Sequence, residues 1–122
     1  MHGSTLREKY GAPQTKQVFM VRPGIEMLVT FGPNETVCKV EIPFGAATKE
    51  ELDAIAEEVV PLSMRGKELH RSFHRFGALG TSLTVYEMVT ITQQSVSDGS
   101  PEKYRMTMTF NDECCAEVNG RP

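Results

Sequence analysis

The sequence contains no tryptophan, and aromatic residues make up only 7% of its 122 residues. It has no continuous apolar run near the ~18 residues that a membrane-spanning helix requires, so we expect no membrane span. Basic residues are not in excess either, since the formal net charge is −3 and the isoelectric point is about 5.6. Because nucleic-acid binding needs a concentrated positive field, we expect no nucleic acid among the partners.

Short motifs of common enzymes and cofactor-binding proteins are also absent. The sequence has no nucleophile elbow, phosphate-binding loop, dinucleotide fingerprint or EF-hand loop. We therefore predict no cofactor and assign no catalytic residue. The lack of a catalytic constellation favours a non-enzymatic protein.

The chain contains three cysteines, Cys38, Cys114 and Cys115, and an odd number does not form a complete disulfide framework. In an exported protein, Cys38 would pair with one of the two adjacent cysteines, and Cys115 is the partner we assign. In the cytosol all three would stay reduced. The sequence leaves both alternatives open.

Length and composition are those of one globular domain over 1–122, with 39% apolar and 24% charged residues. We expect the polar start, 1–4, to be disordered and the tail, 112–122, to be frayed.

The first half of the chain predicts a short helix followed by three strands. Thr5 and Glu8 form a capping box at the start of the helix. Alternating apolar residues then predict strands over 17–22, 25–31 and 36–43, which short links join into an antiparallel meander.

The second half predicts a longer helix, a shorter helical segment and two strands. Thr48 and Glu51 form a second capping box, followed by Leu52, Ile55, Ala56 and Val59 at helical spacing. Within 62–76, the spacing of Leu69, Phe73 and Phe76 predicts a short helix, and alternation predicts strands over 83–93 and 104–110.

These elements predict an α+β fold with the order helix-β-β-β-helix(es)-β-β. We expect an antiparallel sheet of about five strands with the helices packed on one face.

The opening of the chain resembles a known class of bacterial domains. The turn Tyr10-Gly11-Ala12-Pro13 and the strands up to about Ile42 are similar to those of the BLIP-like class, which includes the outer-membrane assembly lipoprotein BamE. The resemblance covers about a third of the chain. It implies a bacterial protein that is periplasmic or secreted, with a non-enzymatic role in the cell envelope.

The candidate site is a basic segment over 65–75, where four positive charges and one negative charge give +3. The helix over 49–58 carries five negative charges and one positive charge, giving −4. The basic segment is therefore a candidate patch for an anion or a partner protein, and its alternative is an ordinary solvated face. The residues of this patch are Arg65, Lys67, His70, Arg71, His74 and Arg75.

Two features near this segment suggest further chemistry. His70 and His74 would share a helix face at i, i+4 spacing and reach one metal, but no zinc-hydrolase motif surrounds them and we assign no metal. Glu87 shares a strand face with Val85 and Val89, which would bury its carboxylate unless a bulge turns it outward.

Two functional hypotheses follow. The first is a binding or assembly module of the cell envelope, which predicts an exposed apolar patch, a disulfide at Cys38 and no deep polar pocket. The second is a small-ligand-binding protein or small enzyme with a pocket between sheet and helix. It predicts that His70, His74, Glu87 or Arg71 converge in that pocket.

Overall fold

Alternating apolar residues in most of the chain form strands rather than helices. The computed structural model describes residues 15–45, 47–97, 102–112 and 115. The predicted first helix and the Tyr10–Pro13 turn lie outside these residues. The strands are β1 (Thr15–Arg22), β2 (Ile25–Phe31), β3 (Val37–Gly45), β4 (Glu68–Phe76), β5 (Leu79–Tyr86), β6 (Val89–Val96) and β7 (Lys103–Phe110), and the helix α1 spans Lys49–Val59.

The seven strands form one antiparallel sheet in the order β1-β2-β3-β7-β6-β5-β4. The β1-β2-β3 meander predicted from the sequence is confirmed, and so is the capping box of α1. The Thr48 hydroxyl accepts from the Glu51 amide at 3.1 Å, and the Glu51 carboxylate accepts from the Thr48 amide at 3.1 Å.

The α+β prediction with about five strands is wrong. Two strands were missed, and the described residues contain a single α-helix. The segment predicted as a short helix contains only a 3₁₀ turn, Leu62–Met64, and then continues as β4. Gly77 supplies the positive φ, +61°, that the tight turn between β4 and β5 requires, so the chain pairs with the next strand instead of coiling.

The strand predicted over 83–93 is two strands joined by a turn at Glu87 and Met88. Neither residue is a typical turn former, so the sequence carries no turn signal here. Hydrogen bonds from elsewhere hold the turn: its two amides donate to the carbonyls of Lys67 and Arg65, each at 3.0 Å, and its carbonyls accept from Asn111.

One face of the sheet, which we call the front face, packs against α1. Leu52, Ile55 and Ala56 of α1 are buried in a single cluster with the apolar front-face residues of the central strands. The front-face row across the sheet is Val29, Val40, Met108, Ile91, Thr84 and Arg71, in the order of the strands from β2 to β4. The apolar core therefore ends where this row reaches β5.

Cys38 of β3 and Cys115 are joined by a disulfide, and both side chains are fully buried. The bond connects positions 77 residues apart. No helix in the described ranges is long and apolar enough to cross a membrane.

Candidate functional site

The basic segment over 65–75 begins at the end of a 3₁₀ turn and continues as the edge strand β4. Its residues therefore do not share one face. Successive strand residues point to opposite sides of a sheet. Arg71 lies opposite Thr84 in the front-face row, whereas His70 lies opposite Val85 on the other face, the back face. The structure therefore divides the predicted patch between the two faces.

His70 and His74 lie on the back face of β4, and both are exposed. Four residues along a strand span about 13 Å, far more than the separation that lets two imidazoles bind one metal ion. No group of three or more potential metal ligands occurs among the described residues. The helix that would have placed the two histidines side by side is a strand, so the structure does not bring His70 and His74 together.

Strand β4 is one of the two margins of the sheet and pairs only with β5 within the described chain. All of its nine residues except Ser72 are exposed. Leu69, Phe73 and Phe76 expose 61%, 62% and 89% of their surface. An edge strand with free backbone groups and exposed apolar side chains is a template for pairing with another strand.

The exposed charges at β4 are mainly positive. Lys67, Arg71 and Arg75 carry three positive charges, and Glu68 and Glu87 are nearby negative charges. Arg71 donates to Glu68 at 2.6 Å, and this hydrogen bond raises the pKa of Arg71, which stays charged at all accessible pH values. Arg75 donates to the Ser97 hydroxyl at 3.4 Å.

Arg65 was predicted as part of the surface patch, but its side chain is only 10% exposed. Its guanidinium donates to the Val60 carbonyl at 2.9 Å and to the Glu57 carboxylate at 3.2 Å. It also donates to the Tyr86 hydroxyl at 3.4 Å and lies 5.3 Å from the centre of that ring. Arg65 therefore ties the end of α1 to β5.

A polar groove of about 350 Å³ lies between α1 and the front face of β4, β5 and β6. Its helix wall consists of Lys49, Asp53, Ala56 and Glu57. Its floor and opposite wall consist of Arg65, Arg71, Ser82, Thr84, Tyr86, Ile91 and Gln93. Of the predicted site residues, this groove contains Arg65 and Arg71.

Glu87 is exposed in the β5–β6 turn and does not line the groove. Its carboxylate accepts a hydrogen bond from the Lys67 amide at 2.6 Å. Gly66 makes this approach possible: it has a φ of +79°, and a Cβ at this position would lie 2.8 Å from the Glu87 Cβ. The buried-carboxylate interpretation of Glu87 is therefore wrong, and a turn rather than a bulge directs it outward.

Sequence reasoning missed most of the groove. Ser82, Thr84 and Tyr86 alternate along β5, and this polar alternation was the available signal for a polar strand face. The prediction of a single strand over 83–93 with Val85 and Val89 on one face conceals this signal, because Ser82, Thr84 and Tyr86 belong to the shorter strand β5.

No protein-family model, curated protein or solved structure matches the chain. The BLIP-like resemblance of the opening residues stays a prediction, and the function must be argued from the site itself.

Proposed function

We propose that the protein is a non-enzymatic binding module that takes up an extended, acidic segment of a partner protein along the free edge of β4. The observation that carries the proposal is the exposed β4 edge, which combines free backbone groups with Leu69, Phe73 and Phe76. Strand addition of this kind uses backbone hydrogen bonds for affinity and alternate side chains for specificity.

The charge of the edge selects the chemistry of the partner. Lys67 and Arg75 form no ion pair among the described residues. Opposite charges across adjacent strands stabilise pairing, and like charges destabilise it. An added strand with acidic residues and apolar residues therefore fits this edge.

A second copy of the chain fits less well. Two antiparallel β4 strands centred on Ser72 would place His70 opposite His74 and bring the basic residues of both copies to one junction. Charged side chains on an edge strand oppose pairing of this kind.

The buried Cys38–Cys115 disulfide supports an oxidising compartment, as expected for a periplasmic or secreted protein. The second hypothesis, a small-ligand-binding protein or small enzyme with a pocket between sheet and helix, is supported by the groove but not by the residues predicted to converge there. His70 and His74 lie on the back face and Glu87 lies in a turn, so these residues do not converge with Arg71 in the groove.

The proposal is tested with a synthetic nine-residue peptide of alternating glutamate and valine, measured by isothermal titration calorimetry. We expect saturable binding that weakens with salt, because exposed charges are screened. A lysine-valine peptide of the same length should bind at least tenfold more weakly. The double variant Lys67→Glu, Arg75→Glu should reverse this preference.

The matched control is Lys16→Glu on β1, the other edge strand, which should leave the affinity for the acidic peptide unchanged. The proposal is wrong if both peptides bind equally or if the double variant keeps the original preference. It is also wrong if the double variant self-associates without a change in peptide affinity, because the charges would then serve only to keep the edge unpaired.

A further inference from the structure

We infer that the groove between α1 and the front face of β4, β5 and β6 binds a small zwitterion, of the class of short free peptides. The ammonium group would lie at the helix wall, and the carboxylate would lie at the β4 wall. This site is separate from the β4 edge, because the groove is on the front face whereas the edge points away from the sheet.

The two walls of the groove carry opposite charge where a ligand would lie. The helix wall carries the carboxylates of Asp53 and Glu57 and the amine of Lys49, one positive against two negative charges, and the opposite wall carries the guanidinium groups of Arg65 and Arg71. Glu57 is bonded to Arg65 and to the Leu62 amide. Glu57 is thus paired with the buried Arg65, whereas the hydrogen bonds of Asp53 are all exposed, so Asp53 is the ammonium acceptor.

Asp53 already accepts two hydrogen bonds but can accept more. Its Oδ1 accepts from Gln93 at 2.7 Å, and its Oδ2 accepts from Lys49 at 3.0 Å. A carboxylate has about four acceptor sites, so an added ammonium needs neither partner to leave. Its side chain is 53% exposed, which leaves it accessible from the groove.

The β4 wall offers donors to a carboxylate. Arg71 uses one nitrogen for Glu68, and a guanidinium has five donor hydrogens, so others remain. Thr84 lies directly opposite Arg71 in the sheet. The hydroxyls of Thr84 and the Tyr86 phenol line the same part of the groove, which allows a carboxylate to accept from a charged donor and a neutral donor together.

The size and lining of the groove suit a ligand larger than a single ion. About 350 Å³ is at the lower end of the range for small-molecule sites. Within the described chain, the Thr84 hydroxyl makes no side-chain hydrogen bond, and Ser82 on the same strand makes none either. Both remain available to the peptide groups of a ligand.

The requirement for two separated charges is tested with the ligands glycine, diglycine and triglycine. Their binding is measured by changes in amide chemical shifts and by calorimetry. We expect diglycine or triglycine to bind at least tenfold more tightly than glycine, because a longer zwitterion reaches both walls. N-acetyl-diglycine, which lacks the ammonium, and diglycine amide, which lacks the carboxylate, should each bind about tenfold more weakly than diglycine.

Two variants test which wall of the groove binds the ammonium group of the ligand and which binds its carboxylate. Asp53→Asn should abolish the preference for diglycine over N-acetyl-diglycine, and Arg71→Gln should abolish the preference over diglycine amide. His74→Gln on the back face is the control, and it should change neither preference. Circular dichroism melting of each variant checks that the fold is retained.

The inference is overturned if none of the three peptides gives saturable shifts in α1 and β5, or if the blocked peptides bind as well as diglycine. It is also overturned if each variant weakens all ligands equally. Binding of the acidic nonapeptide to β4 is measured on the same Asp53→Asn protein and should be unchanged, so failure of the groove and failure of the edge can be told apart.

Discussion

The two margins of the sheet are both exposed, but their surroundings differ. Beside β1, the front face continues the apolar core, with Val21 and Met27 packed against the buried cluster. Beside β4, the front face carries Thr84 and Arg71 and borders the polar groove. The same helix thus borders an apolar side of the sheet toward β1 and a polar side toward β4.

The difference follows from the widths of the two layers. Seven strands at a spacing of about 4.8 Å extend over about 29 Å, whereas one helix with its side chains is about 10–12 Å wide. A single helix cannot cover such a sheet. The sequence places apolar residues where α1 covers the front face and polar residues where the cover ends toward β4, and a groove results at that boundary.

Removal of the disulfide should have the largest effect, and the change lies on the apolar side of the sheet. Cys38→Ala opens a bond between positions 77 residues apart, and the entropy of the unfolded chain predicts a loss of about 4 kcal/mol in unfolding free energy. Urea unfolding of this variant measures the loss.

The control for this change is reduction of the wild-type protein with dithiothreitol. Reduction should lower the midpoint of urea unfolding by about as much as Cys38→Ala does. If the reductant left the unfolding midpoint of the wild-type protein unchanged, the disulfide would contribute little to stability.

Truncations within one row of the sheet compare the two sides directly. Met108 is fully buried and Thr84 lies at the groove, two strands apart in the front-face row. Met108→Ala should cost about 3 kcal/mol through lost contacts and a cavity. Thr84→Ala should cost less than about 1 kcal/mol. Equal losses in urea unfolding would contradict the division of the sheet into an apolar side and a polar side.

Substitution of Arg65 examines the boundary between the two sides. Arg65→Met keeps the apolar stem but leaves the Val60 carbonyl without this donor, and an unsatisfied buried group costs about 2 kcal/mol. Thermal unfolding measures the effect. Arg75→Met on the exposed edge is the matched control and should change stability by less than about 0.5 kcal/mol.

The pH dependence at Tyr104, near the start of β7, should give the smallest effect. The Tyr104 hydroxyl donates to Glu102 at 2.9 Å, and this bond raises the pKa of Tyr104 above its ordinary value. The stabilisation is therefore present below about pH 10 and is lost as the pH rises through the higher folded-state pKa. Absorbance titration of tyrosinate should show a lower pKa for Tyr104 in Glu102→Gln, and an unchanged value would contradict the assignment.

The parts of the fold that the sequence predicted are those determined by local signals. Alternation defined the first three strands, and a capping box with apolar residues at helical spacing defined α1. Strand β4 was missed because Leu69, Phe73 and Phe76 have helical spacing although none of them is buried. Apolar spacing indicates a helix face only when that face packs against something.

The candidate site was predicted in part, since Arg71 does line the groove. The rest could not be predicted, because α1, β4, β5 and β6 each contribute to the groove and only the strand order brings them together. Because Glu87 and Met88 are not typical turn residues, the boundary between β5 and β6, and with it the strand order, could not be predicted from the sequence. Residues of the back face, including His70 and His74, were grouped with Arg71 because they are adjacent in the chain.

The β5–β6 turn has a consequence for how the protein folds. Its partners lie 20 residues before it, at Lys67, and 24 residues after it, at Asn111, so the hairpin lacks a local nucleus. We expect the turn to be completed only when these distant segments have met, and contacts between distant segments slow folding. We expect the four strands β4 to β7 to become protected from hydrogen exchange together, as one cooperative unit, rather than strand by strand.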